Sequence, residues 1–139
     1  MSKEVYVLDS CALIAYLRNE EGILNLIETF KKAIEKSCVI NIHSASVAEV
    51  YYDSLRVSGK IKADRILKDL DSLPLIRLNS LSITFIRKIG YFKVNHKVSF
   101  ADCIILALAS VKKAIVISSD HHEFDAIEKT KDLSFLWIR

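Results

Sequence analysis

Four carboxylates scattered along a chain of 139 residues stand where side chains can do chemistry: Asp9, Glu49, Asp102 and Asp120. Asp9 closes the apolar run Val5-Tyr6-Val7-Leu8, which has the composition of a buried strand. Asp120 follows the β-branched run Ile115-Val116-Ile117 across two serines. Glu49 falls inside a helical segment after the strand-like stretch Cys38–Ile42, and Asp102 falls in the first turn of an apolar helix. Gathering four acids in one small domain is costly, because neighbouring negative charges raise one another's pKa. A divalent cation removes that repulsion, and hard oxygen donors suit magnesium or manganese. A cation so held can activate water and screen charge on phosphoryl oxygens, a chemistry suited to hydrolysis of phosphate esters such as phosphodiesters.

Each acid alone also suits a plainer role. Asp9 fits a turn or a helix cap, Asp102 favours a helix N-terminus electrostatically, Glu49 fits a solvated helix face, and Asp120 fits a loop or the cap of a helix starting at His122. Their joint placement carries the argument, and that depends on the elements that position them.

Strand character is expected at Val5–Leu8, Cys38–Ile42, Leu75–Leu78, Ala114–Ile117 and Phe135–Ile138. Helices are expected between them: Cys11–Leu17, Glu20–Lys36 with its apolar positions three and four apart, and a helix capped by Ser44 that stops near Gly59. Further on come Ile61–Leu73 closed by Pro74, a helix capped by Asn79 or Ser80 with Ile83, Ile86 and Ile89 on one side, and about Ala101–Lys113. A short helix from His122 precedes the last strand. Nearly apolar strands alternating with helices predict an α/β fold, three-layer α/β/α, around a mostly parallel central sheet. In such sheets ligands bind beyond the carboxyl ends of the strands, where the strand order switches, which is where Asp9 and Asp120 are expected.

Composition sets limits. One domain over residues 1–139 is expected, with 51% hydrophobic residues, few glycines and a single proline leaving no linker or repeat. The longest apolar runs, such as Ile104–Ala109, fall far short of the ~20 residues of a membrane span. No signal peptide is evident, and Cys11, Cys38 and Cys103 are spaced as buried thiols, so a reducing cytoplasm is expected. The net charge of +3 does not diagnose nucleic-acid binding. Three basic groups (Lys31, Lys32, Lys36; Arg56, Lys60, Lys62, Arg65; Arg87, Lys88, Lys93, Lys97) form either a phosphate-binding face or ordinary solvated helix faces.

The series Val7-Leu8-Asp9-Ser10, Ala48-Glu49-Val50, Ser99-Phe100-Ala101-Asp102 and Ser118-Ser119-Asp120 resembles the PIN-domain nucleases, and among them the VapC-type toxins of toxin–antitoxin pairs. The resemblance spans essentially the whole chain, and its specificity lies in the order and placement of short motifs. It implies a metal-dependent endoribonuclease with Asp9, Glu49, Asp102 and Asp120 as the catalytic and metal-binding acids. Ser10 and Ser118 would orient those acids or water, and Asp125 matches an additional acid of some members. It also implies Mg2+ or Mn2+ as cofactor, RNA as substrate, a small antitoxin protein as partner, and a homodimer. The pair His121-His122 departs from the commoner short loop after the last acid and leaves two readings, a histidine that reaches the phosphate or, the favoured one, a pair that faces solvent. Tyr51, Tyr52 and Leu55 are assigned to a partner groove, a dimer contact or the core, with core packing expected for at least one.

Rival chemistries fit less well. A haloacid-dehalogenase-type phosphatase needs a second Asp two residues after the first, where this chain has Cys11, and a receiver domain needs its phosphoacceptor Asp after a middle strand. None of the cysteines has a base partner in the sequence, so a thiol nucleophile is not expected. A PIN-like domain that binds RNA or protein without cutting is the surviving alternative.

Overall fold

The computed structural model describes residues 3–138, so Met1, Ser2 and Arg139 lie outside the described residues. In chain order the elements are β1 (Glu4–Leu8), α1 (Ser10–Leu17), α2 (Leu24–Ile34), β2 (Cys38–His43), α3 (Ser44–Ser58), α4 (Lys60–Leu70), β3 (Ile76–Leu78), α5 (Ile83–Asn95), α6 (Phe100–Lys112), β4 (Ile115–Ser118), α7 (His121–Lys129) and β5 (Ser134–Trp137). The strands form one five-stranded sheet in the order β3-β2-β1-β4-β5, and every neighbouring pair is parallel. The chain winds outward from β1 through β2 to β3, then returns to the other side of β1 with β4. The switch in strand order therefore lies between β1 and β4, at the carboxyl ends that carry Asp9 and, two residues past β4, Asp120.

Alternation along the strands divides the core in two. Val7 and Val116, paired in register, point with Phe85, Phe92, Ile105 and Phe124 into a layer built by α5, α6 and α7. Tyr6, Leu8, Ile40 and Ile117 point to the opposite face, with Leu13, Leu26, Phe30 and Val50 from α1, α2 and α3. Helix α6 is buried without interruption from Cys103 to Ala109, as expected of a helix apolar nearly all round. It spans the interior, and this fixes where Asp102 sits.

Several boundaries differ from the sequence expectation for identifiable reasons. Helix α2 starts at Leu24, because the chain turns at Gly22 with φ +91° before the amphipathic stretch begins. Ser44 is the first helical residue of α3, and its cap is His43, whose Nδ1 accepts from the Ala45 amide at 3.0 Å. Helix α4 ends at Leu70. Gly59, at φ +84°, separates α3 from α4 in a backbone conformation that a residue with a Cβ rarely adopts. Helix α5 is capped by Ser82, and its buried positions are Phe85, Ile89 and Phe92. Ile83 and Ile86 are exposed, at 64% and 49%, so of the expected isoleucine stripe only Ile89 enters the core. The buried face runs Phe85, Ile89, Phe92 at spacings of four and three, and its two larger phenyl rings fill the space beside α6 in place of Ile83 and Ile86.

Candidate active site

Asp9 is the best-fixed of the four acids. Its backbone N–H continues the ladder by donating to the Ile117 carbonyl at 3.0 Å, so the residue is held between β1 and β4. It also caps α1: Oδ1 accepts from the Ser10 amide at 2.8 Å. Oδ2 accepts from the Ser118 hydroxyl at 2.9 Å and from the Cys11 thiol at 3.0 Å. The side chain is only 3% exposed. Burial pushes its pKa from 3.8 up to about 6, against the lowering effect of the Cys11 and Ser118 hydrogen bonds, and the Glu49 charge raises it further.

Ser118, fully buried at the end of β4, ties two acids together. While its hydroxyl donates to Asp9, the same oxygen accepts from the Asp120 amide at 3.0 Å. Asp120 caps α7, with Oδ1 accepting from the Glu123 amide at 3.1 Å. The helix begins at His121, one residue earlier than expected. On α3, Glu49 Oε1 accepts from the Ser10 hydroxyl at 3.0 Å, so the serine after Asp9 holds the acid from the neighbouring helix. Asp102 stands in the first turn of α6, where its amide donates to the Ser99 cap at 3.1 Å. Burial raises its pKa to about 7, and the charges of Asp9, Glu123 and Asp120 add to the effect.

The structure therefore brings together Asp9, Glu49, Asp102 and Asp120, with Ser10 and Ser118 hydrogen-bonded to the first two. It does not bring Asp125 to them: that carboxylate lies on the exposed side of α7, 2.8 Å from His121 Nδ1. Glu123 takes the place near Asp102 instead. The sequence signal for Glu123 was the Asp120-x-x-Glu123 spacing, that of a capping box, in which the fourth residue turns back toward the cap. Cys11 was the other participant missed. Its thiol lies against both Asp9 and Ser118, and burial with the Asp9 charge beside it pushes its pKa to about 12, so it is a neutral donor.

Among the described residues no group of three or more His, Cys, Asp or Glu side chains has the arrangement of a metal site as it stands. Ser118 and Cys11 claim one oxygen of Asp9, and Ser10 claims one oxygen of Glu49. The donor set nevertheless fits a hard dication. It offers carboxylate oxygens from four separate parts of the chain, and two of those carboxylates have pKa values raised by burial, with the charge of Glu49 adding to the effect at Asp9 and those of Asp9, Glu123 and Asp120 at Asp102.

Around the site, Tyr52 lies within 3.4 Å of Glu49 Oε2 and is exposed, as is Leu55, whereas Tyr51 is half-buried and donates to Asp64 at 2.8 Å. The lysines and arginines grouped in the sequence are exposed, on α2 and just after it, on α3 and α4, and on α5 and just after it. No described helix is long and apolar enough to cross a membrane.

Residues 6–130 match the family model of the PIN domain. No match was found among curated proteins. Among solved structures, the chain is similar to DNA-bound VapBC from Salmonella typhimurium, with 16% identity, full coverage of both chains and a TM-score of 0.73. It is similar to VapBC2 from Rickettsia felis bound to a promoter DNA fragment, with 20% identity, coverage of 95% and 97%, and a TM-score of 0.71. VapC20 from Mycobacterium tuberculosis, a toxin that cleaves the sarcin-ricin loop, matches with 15% identity, coverage of 80% and 86%, and a TM-score of 0.56.

Proposed function

The chain belongs to the PIN domain family, and from that premise we propose that it is a metal-dependent endoribonuclease, the toxin of a toxin–antitoxin pair, formed by residues 1–139 as one domain and acting in the cytoplasm. One observation supports the reading above the others. Asp9 and Asp102, from elements far apart in sequence, are driven above the usual carboxylate range by burial and by the acids around them, at the switch point of the sheet. An arrangement that costs stability persists where it serves a site.

In this account Asp9, Glu49, Asp102 and Asp120 hold magnesium or manganese, which when bound supplies activation of water and screening of charge on the phosphoryl oxygens. The chain's own residues set the geometry. Ser118 fixes the orientation of Asp9 and, through the Asp120 amide, the start of α7; Ser10 fixes Glu49. One carboxylate, Glu49 or Asp120, would take the proton of the attacking water; the Tyr52 hydroxyl donates to Glu49 Oε2 at 3.4 Å. Cys11, a neutral thiol, contributes a hydrogen bond and no nucleophile.

A small protein partner is supported by the likeness to VapBC toxin–antitoxin complexes. A groove of about 390 Å3 bounded by Ile14, Leu17, Arg18, Asp53, Val57 and Lys62 offers that partner apolar walls and a charged floor. The exposed Ile83, Ile86 and Val94 of α5 are the face we assign to a homodimer.

Cleavage of mixed cellular RNA by purified protein, with magnesium, with manganese and with chelator, tests the function. Metal-dependent cutting that is absent from an Asp9→Asn variant is the expected result. Well-folded, partner-free protein that cuts under no condition would favour the alternative, a PIN-like domain that binds RNA or protein without cleaving it.

A further inference from the structure

A ladder of aromatic rings borders the acidic group on the side of β5. It starts in the core at Phe124, which is fully buried and tilted against Phe135 with ring centres 5.5 Å apart. Phe135 stacks on Trp137, two residues along the same strand face, at 5.1 Å and 7° between planes. Trp137 stacks on His121 at 3.8 Å and 22°. Exposure grows along the ladder, and the His121 side chain at its end is 44% exposed. Core packing accounts for the inner rings, whereas the outermost imidazole, held by Asp125, remains half-exposed on the indole.

The edges of the two outer rings are tied by hydrogen bonds. Trp137 Nε1 donates to Glu128 at 3.0 Å, and His121 Nδ1 pairs with Asp125 at 2.8 Å. Edge contacts of this kind fix the planes of the rings, and stacking uses their faces. The position is also specific. His121 directly follows Asp120, and Trp137 pairs in register with Ser118, which holds Asp9. With strands ~4.8 Å apart, Trp137 stands roughly 10 Å from the strand of Asp9. That distance suits the nucleotide next to a linkage held at the acids.

We propose that the Phe135–Trp137–His121 ladder is a stacking platform for a nucleobase of single-stranded RNA, flanking the nucleotide whose phosphodiester meets the acids. The proposal rests on the ribonuclease reading above. Aromatic faces accept any base, so the platform contributes grip and register on unpaired RNA with little preference for sequence.

Trp137 is the chain's single tryptophan, so its fluorescence reports on the ladder alone. The experiment titrates a labelled, non-cleavable 2′-O-methyl single-stranded oligoribonucleotide into the parent protein with magnesium, following label anisotropy for binding and tryptophan emission for stacking. The expected result is saturable quenching that tracks anisotropy and is absent for a base-free oligomer of equal length. Adding His121→Ala should weaken binding on the order of tenfold, and His121→Phe should restore it. Binding with silent tryptophan emission, equal for the base-free oligomer and for His121→Ala, would overturn the platform while leaving the ribonuclease reading intact. No anisotropy change at all would overturn both.

Discussion

Replacing Asp9 by Asn should abolish cleavage and make the metal-free protein more stable. In the fold the Asp9 carboxyl titrates at about 6 instead of 3.8. For a side chain this deeply buried, the gap corresponds to about 3 kcal/mol of destabilisation once the group is ionised. The folded protein holds a proton that the unfolded chain releases between these two pKa values. Stability from this group therefore falls as pH rises from about 4 to about 6, and the full penalty stands above that range. Asparagine has the same shape and carries no charge. Its Oδ1 still accepts from the Ser10 amide, but its Nδ2 group is a donor facing the Ser118 hydroxyl and Cys11 thiol, which must turn to accept, a loss of about 1 kcal/mol. The net gain is about 2 kcal/mol, or about 7 °C in Tm for a chain of this length. Thermal unfolding in chelator at pH 8 and pH 4 measures it: the variant should exceed the parent at pH 8, and the difference should vanish at pH 4. Added magnesium should raise the Tm of the parent and not of the variant. An Asn variant no more stable than the parent at pH 8, or an equal gain at both pH values, would refute the reasoning.

Ser118→Ala removes a hydrogen bond that lowers the Asp9 pKa, so the acidic limb of the pH–rate profile should move to higher pH. It also leaves the part-buried Asp120 amide without the Ser118 hydroxyl, and urea unfolding should show a loss of about 2 kcal/mol. Ser10→Ala frees Glu49 Oε1, and kcat should fall with unfolding unchanged within about 1 kcal/mol. Glu123→Gln should reduce cleavage more than Asp125→Asn does, because only Glu123 acts on Asp102; the reverse order in parallel assays would show that the wrong acid of α7 has been assigned. Leu106→Ala, at a fully buried position of α6, should cost about 3 kcal/mol in urea unfolding.

The sheet was legible in the sequence because parallel strands buried on both faces are written as plain apolar runs: Val5–Leu8 and Ile115–Ile117 could hardly be anything else. The acids were legible because they stand at the ends of those runs and at the start of the most apolar helix. What the sequence hid was set by neighbours. His43 displaces Ser44 as a cap because the end of β2 orients an imidazole nitrogen toward the Ala45 amide. Phe85 and Phe92 displace Ile83 and Ile86 from the core because periodicity alone does not say which of two apolar stripes meets α6. Asp125 and Glu123 lie two residues apart on α7, and only the direction of that helix separates the acid facing Asp102 from the one facing His121. The contact of Cys11 with Asp9 depends on α1 starting immediately after the strand, so that two residues on, the thiol points back at the carboxylate.

The central claim is that acids from β1, α3, α6 and the start of α7 form one cation-binding centre. Titration of Mn2+ into the purified chain, with free ion followed by electron paramagnetic resonance, tests it most directly. The account predicts saturable binding by the parent that is lost in both Asp9→Asn and Asp102→Asn, with each variant still folded by circular dichroism. Binding by both variants equal to that of the parent would contradict it and place any metal elsewhere on the molecule.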